Sequence, residues 1–404
     1  MPCQDTLVPS AVLSDLFPAG SAFVARSTLE LTQWVHSNKF RLDTASGFPV
    51  SILGNMPHVC HQQVNTADIR AFFLRAGIRL AAPFISYATA DEARDAARRF
   101  LALGYRLVYY YPPLPGIDSD KNLVVPVGLY NRLNDKANLD RLCDSCYLPP
   151  FLLYPRGNFD KAGVDMPGQA VYLKACIAGA SGAGTDVRYC PDMASRRKAI
   201  QWFSARSSRL SALRMESDVS VRLCWCLNIA ITETGVRYLG AATQLFNSPG
   251  LQYGNRIDPD EQPCDNIISI ALAIGETARQ QGYLGIAGFD IGIDADDRPY
   301  VFDLNFRLTA CTTQILMHDA TTSRINGRIS QSLALEMDGL LTPALERLAG
   351  FVDSGNLVPL RLYERTEVPG DQSLVNAMLI ANEQEELDKL VADIHVALSD
   401  LLTD

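Results

Sequence analysis

The segment GFDIGIDADDRPYVFDLNFR, residues 288–307, places acids and an amide inside runs that otherwise read as buried strands. Asp303 and Asn305 stand two apart, so on a strand both side chains leave the same face. Asp290 lies on the preceding apolar run, and the acidic turn at 294–297 lets the two runs pair antiparallel. Two carboxylates and a carboxamide converging from adjacent strands are hard oxygen ligands, the kind magnesium takes when phosphate and water complete its shell. Core strands rarely bury so many acids without a partner. Asp294, Asp296 and Asp297 read as ordinary hairpin decoration. Arg307 continues the face of Asp303 and Asn305. It suits a transferring phosphoryl group or a substrate carboxylate, with a surface salt bridge as the plain alternative.

A second constellation is Lys174 followed by the loop Gly179–Gly184, which also holds Ser181 and Gly182. A strand lysine before a glycine-rich loop can meet phosphate while the loop amides close over it. No GKS or GKT follows, so this is not a Walker A loop. Lys136, in the tripeptide NDK, reads equally as a second phosphate ligand or a solvated helix lysine. Glu216 reads as a contact to ribose hydroxyls in a hinge before the strand at 219–231. Arg222 reads as an anion clamp pointing into the cleft, with Asn228 a lesser contact of the same parity. His58, His61 and His318 have no partner at nucleophilic-triad spacing and read as ordinary residues. Cys143 and Cys146 form CDSC, and Cys224 and Cys226 form CWC. Without a second CxxC or nearby histidines, these read as reduced thiols.

These residues need elements to hold them. Residues 1–128 alternate helix and strand: a strand at 50–52, helices at 66–76 and 91–103, and a strand at 106–111. That pattern predicts a small parallel sheet. A helix is predicted at 134–143, a strand at 170–176, and a helix at 193–206 with Arg196, Arg197 and Lys198 on its solvated side. Strands at 219–231 and 236–240 flank the turn ETG. A helix at 266–281 precedes the strands at 287–293 and 299–305. A largely helical run at 329–348 and a tail helix at 381–398 close the chain. The expected organisation is three segments, 1–128, 129–215 and 216–404.

The 404 residues exceed one ordinary core, and 48% apolar with 20% charged residues describe a globular chain. A formal charge of −9 argues against nucleic acid as the main partner. The N-terminus lacks the pattern of a signal peptide, and no apolar run reaches membrane-spanning length. The expectation is therefore a cytoplasmic protein without membrane partners.

Together these segments resemble the ATP-grasp superfamily of carboxylate–amine ligases, closest to the group around the peptide ligase of pheganomycin biosynthesis. The likeness covers roughly residues 125–345. It implies an α/β and α+β chain: an ATP-grasp fold with middle and C-terminal lobes, preceded by an α/β pre-ATP-grasp domain. By that resemblance Lys136 and Lys174 are the nucleotide lysines, and Gly179, Ser181, Gly182 and Gly184 belong to the phosphate-covering loop. Asp290, Asp303 and Asn305 are the magnesium ligands. The implied cofactors are ATP and Mg2+. The implied reaction joins a carboxylate and an amine, amino-acid-like or peptide-like, through an acyl phosphate. Other ATP-grasp chemistries (thioester formation, carboxylation, phosphorylation) and an inactive nucleotide-binding protein are the alternatives. Relatives are commonly homodimers. Three departures stand out: the last metal carboxylate is Asp303 where relatives carry Glu, Gly288 stands where many carry a phosphate-touching arginine, and Thr309–Ala310 replaces a glycine pair. The missing arginine moves its role to Arg222 or Arg307.

Overall fold

The computed structural model describes residues 6–28, 39–80, 82–166, 168–179, 184, 186–367 and 370–403. In its first part, four short apolar runs become strands: β1 (Ser21–Val24), β2 (His58–His61), β3 (Phe84–Tyr87) and β4 (Arg106–Tyr109). They form a parallel sheet in the order β3-β2-β1-β4. The crossover helix Ala90–Ala102 starts at Thr89, whose side chain caps the Glu92 amide. It buries Ala93, Ala96, Ala97 and Phe100, a stripe at helical spacing. Val50–Ile52, expected as a strand, is buried but lies in a turn; Pro49 and Gly54 bound the run too closely for a ladder.

The second sheet joins β5 (Phe151–Pro155), β6 (Val171–Cys176), β7 (Val187–Cys190) and β8 (Ala212–Ser217), antiparallel in the order β5-β8-β6-β7. Strand alternation sorts its faces. Val171, Leu173, Ala175, Leu213 and Met215 pack on Ile200 and Phe203 of the helix Met193–Ser204. Lys174, Arg214 and Glu216 project from the other face. Arg196, expected on the solvated side of that helix, is fully buried and donates to the carbonyls of Asp165, Met166 and Gln169. Its guanidinium fork satisfies a bend of main chain that has no ladder of its own.

The third sheet has eight antiparallel strands in the order β13-β12-β9-β10-β11-β14-β16-β15. These are β9 (Leu223–Thr232), β10 (Gly235–Ser248), β11 (Leu251–Ile257), β12 (Gly285–Ile293), β13 (Pro299–Asn305), β14 (Ile329–Met337), β15 (Leu357–Tyr363) and β16 (Ser373–Ala381). The run at 329–348, expected as helical, is a strand followed by the helix Leu341–Asp353. β14 pairs with β16 along its whole length, a partner more than thirty residues away that local periodicity does not reveal. The expected breaks after residues 128 and 215 fall inside the helix Val127–Asn134 and inside β8. β15 meets the first sheet directly, with Tyr363 stacked on His61 and Arg361 over Phe48. Among the described residues no helix is long and apolar enough to cross a membrane.

Candidate functional site

β12 and β13 pair so that Asp290 stands opposite Asp303, and Gly288 opposite Asn305. Paired residues share a face, so both carboxylates and the carboxamide project from one side of the sheet. A bulge beside the Asp290–Asp303 pair leaves Phe302 without a register partner, and its carbonyl accepts from Lys174 Nζ at 2.9 Å. The structure thus places the three expected metal ligands on one face of the hairpin. Among the described residues no three His, Cys, Asp or Glu side chains cluster to hold a metal by themselves. Two carboxylates and one carboxamide fit magnesium whose remaining positions are filled by nucleotide phosphate and water, not a closed protein cage.

Cations already occupy this oxygen set. Lys136 Nζ donates to Asp303 Oδ1 at 2.6 Å and lies 3.5 Å from Asp186 Oδ2. Arg307 donates from one Nη to Asn305 Oδ1 at 2.9 Å, and from the other to the Tyr110 hydroxyl at 2.8 Å. Burial and then the neighbouring Asp303 push the Asp290 carboxyl up to about 7, against the pull of Gln244, Cys226 and Lys136. For Asp303, burial acts upward too, but the Lys136 ammonium outweighs it and holds the carboxyl below its usual range. Burial alone would lower the Lys136 ammonium; Asp186 and Asp303 reverse this and hold it above its ordinary value.

The chain positions Lys136 by breaking a helix. The helix Val127–Asn134 ends where Asp135 turns extended, and its carboxylate accepts from the Ala137 amide at 3.0 Å. A short turn at Lys136–Asn138 then aims the lysine inward. The expected continuous helix at 134–143 is replaced by this break. Asn134 secures it, accepting from the Phe306 amide at 3.0 Å and so tying the lysine turn to the end of β13.

Lys174 pairs with Glu216 Oε2 at 2.5 Å, and Arg214 Nε with Glu216 Oε1 at 2.5 Å. Glu216, expected at ribose, is a buried strand residue whose two oxygens are both taken by cations. Arg222, expected in the cleft, is half exposed and pairs with Asp297 at the hairpin tip, 2.5 Å away. Four strand positions separate it from Cys226, the partner of Asp290, which is roughly 13 Å at strand rise. Of the two arginines expected to take the role left open at Gly288, Arg307 lies on this face and Arg222 does not. Gly288 itself has no room for a side chain: a Cβ there would lie 2.3 Å from Thr309 Cγ2. Thr309 and Thr312 hydroxyls meet Asn228, which is fully buried, so Asn228 braces the segment after Arg307 and is no cleft contact.

In the glycine loop, Gly179 and Gly184 both have positive φ. At Gly184 a Cβ would also lie 2.6 Å from the Gly250 carbonyl. Ser181 and Gly182 lie outside the described residues. Sequence reading passed over Asp186, Arg214 and Tyr110. Asp186 carries a signal, an acid two residues after the glycine loop, and Arg214 shares strand parity with Glu216; Tyr110 is given its neighbour by tertiary packing.

Two family profiles match this arrangement: the L-aspartate–L-methionine ligase N-terminal domain at residues 12–131 and the ATP-grasp domain of the same ligase at residues 159–305. Together they span most of the chain. The chain belongs to the L-aspartate–L-methionine ligase family. Like that family, it is an ADP-forming, ATP-dependent carboxylate–amine ligase that makes an amide bond, with ATP and Mg2+ as the expected cofactors. Its ATP-grasp fold extends to remote solved structures. N5-carboxyaminoimidazole synthetase from Staphylococcus aureus, complexed with ADP, is 9% identical with a TM-score of 0.58, covering 96% of this chain and 100% of its own. L-amino acid ligase from Bacillus licheniformis is 12% identical with a TM-score of 0.54, covering 96% and 98%. The biotin carboxylase domain of Hydrogenobacter thermophilus 2-oxoglutarate carboxylase, with magnesium ADP, is 13% identical with a TM-score of 0.53, covering 95% and 90%.

Proposed function

We propose that this ligase condenses two free amino acids, activating the carboxylate of one as an acyl phosphate for attack by the amine of the other. The observation that carries the reading is the Asp290–Asp303–Asn305 face with Lys136, Lys174 and Arg307 drawn onto it. A phosphoryl acceptor needs no protein nucleophile; it needs placed positive charge around the travelling phosphoryl group. Lys136 and Lys174 bind phosphate oxygens in place of their present carboxylates. Arg307, held by Tyr110, orients the substrate carboxylate beside them. Magnesium, when bound at Asp290, Asp303 and Asn305, neutralises the phosphate oxygens. The carboxylate oxygen takes the γ-phosphorus as the bridging bond to ADP breaks. The amine nitrogen then attacks the acyl carbon, phosphate leaves with the bonding pair, and the nitrogen loses its proton. Glycines 179 and 184, with Ser181 and Gly182 between them, keep water from the labile acyl phosphate. The proposal includes a cytoplasmic enzyme whose partners are small molecules, not nucleic acid or membrane, with a homodimer as its assembly.

L-aspartate and L-methionine, named in the family description, are the first pair to test. With ATP and Mg2+, the expected outcome is ADP, phosphate and a new mass equal to both amino acids minus water. ADP and phosphate released without any condensed product, across this pair and each of the other amino acids tested in pairs, would overturn the reading.

A further inference from the structure

The second sheet contains a buried charge that the reading above leaves unexplained. Arg214 is fully buried on β8, and only its Nε has a hydrogen-bond partner, Glu216. Both Nη atoms are without one among the described residues. A guanidinium stays charged and carries its donors in a rigid fork, so two unmet Nη groups in a buried place are costly. Such groups in a native protein ordinarily mark a missing acceptor.

Resting on the proposed nucleotide reading, we infer that Arg214 is a nucleotide-binding residue whose Nη groups meet the purine base of ATP. The register sets the direction. Arg214 pairs directly with Lys174, so both leave the same face of the sheet. The phosphate-covering loop follows Cys176 at one end of β6, which places the phosphates toward that end. The Arg214 guanidinium leans the other way, lying 3.7 Å above the ring of Phe151, which pairs with Glu216. It therefore points along the sheet from the phosphate end toward Glu216 and Ser217. A nucleotide with its phosphates at Lys174 puts its base there. Purine ring nitrogens are acceptors with no charge to repel or attract, and they suit the two remaining donors. Neighbours of Arg214 on that face are partly open to solvent: Phe151 is only partly buried, and Leu153, the β5 register partner of Arg214, is 42% exposed.

The test compares two probes on the full chain by calorimetry, magnesium ATP and magnesium tripolyphosphate, which shares the phosphates and lacks the ribose and the base. Arg214→Met keeps the length of the side chain and removes its donors. The expected result is that the ratio of the ATP Kd to the tripolyphosphate Kd rises about tenfold, equivalent to about 1.4 kcal/mol. Using the ratio removes any effect that passes through Glu216 to Lys174, since both probes would share it. An unchanged ratio overturns the inference and makes Arg214 a support for Glu216 alone. Should Arg214→Met not fold, Arg214→Lys is read with the same probes, since one ammonium cannot replace the fork and the ratio must still rise. If the unaltered protein binds neither probe, the nucleotide reading itself fails, a separate outcome.

Discussion

Two regions of this molecule bury ionisable groups, and they handle the cost differently. At the start of β2 in the first sheet, His58 sets both ring nitrogens against main-chain carbonyls, of Phe23 at 3.2 Å and Ser46 at 2.6 Å. Beside it Arg26 holds Asp43 at 2.7 Å. At the β12–β13 face, cations stand on the oxygens that a metal would use, and one carboxyl is raised toward neutrality. The first arrangement binds its charges to neighbours within the fold. In the function proposed above the second has exchangeable partners: Lys136 and Arg307 would give up Asp303 and Asn305 to metal and phosphate. Buried polar groups that exchange partners belong to function, and those with fixed partners to specification of the fold.

The contrast breaks most sharply at Asp303. Asp303→Ala should lower magnesium-dependent turnover by about a thousandfold or more while the circular dichroism spectrum is kept. Turnover near that of the unaltered protein would return Asp303 to a structural role. The same substitution at Asp43 should cost folding stability instead of leaving a folded, inactive protein, and comparing the two melting curves reads the difference directly.

A smaller loss is expected at the lysines. Lys174→Ala should weaken ATP binding by about tenfold to a hundredfold, measured as a dissociation constant; an unchanged constant would leave Lys174 as the counter-ion of Glu216 only. Asp186 moves the effect in the other direction. Among the described residues its buried Oδ2 has no hydrogen bond, and Lys136 is its ion partner at 3.5 Å. With phosphate at Lys136 as proposed, Asp186 would compete for that lysine and repel the phosphate itself. Asp186→Asn should therefore tighten ATP binding about fivefold, and Asp186→Glu should not. Weaker binding in the asparagine variant would show that the acid positions Lys136 instead of restraining it.

How far the sequence reveals this site follows from how local each signal is. Asp290, Asp303 and Asn305 sit on one hairpin, so strand parity and turn composition suffice to bring them together. Lys174 and its loop are likewise contiguous. Glu216 is expected in a hinge, and the hinge is a strand: β8 runs through Ser217, so Glu216 meets Lys174 of the neighbouring β6 instead of lining an opening. Arg222, expected in the cleft from its apolar neighbours, precedes β9 and reaches the hairpin tip. The helices were legible where an apolar stripe and a cap coincide, as at Thr89 and Ala90–Ala102. The run at 329–337 is rich in helix formers (Leu333, Ala334, Leu335, Glu336, Met337) although Leu333, Leu335 and Met337 alternate, and pairing with β16 makes it a strand. Tyr110 lies almost two hundred residues from Arg307, and nothing local announces the contact.

The smallest effect separates the two regions by sign of pH dependence. Burial, helped by Arg26, pushes His61 from 6.5 down to about 4, and burial does the same to His58. A histidine depressed on folding contributes stability that is present above 6.5 and is lost as the pH falls toward 4. Asp290 is raised from 3.8 to about 7, so its contribution is present below about 4 and is lost as the pH rises through 7. Urea unfolding of the metal-free protein between pH 4.5 and 8 should resolve both. His61→Gln should gain on the unaltered protein as the pH falls, because it removes the group that must stay neutral. Asp290→Asn should gain as the pH rises, because it keeps the uncharged form that the metal-free face prefers. Differences of opposite slope would tie each group to its region. Parallel slopes would mean that the carboxyl of Asp290 is already ionised and that the lysine beside Asp303 serves both acids.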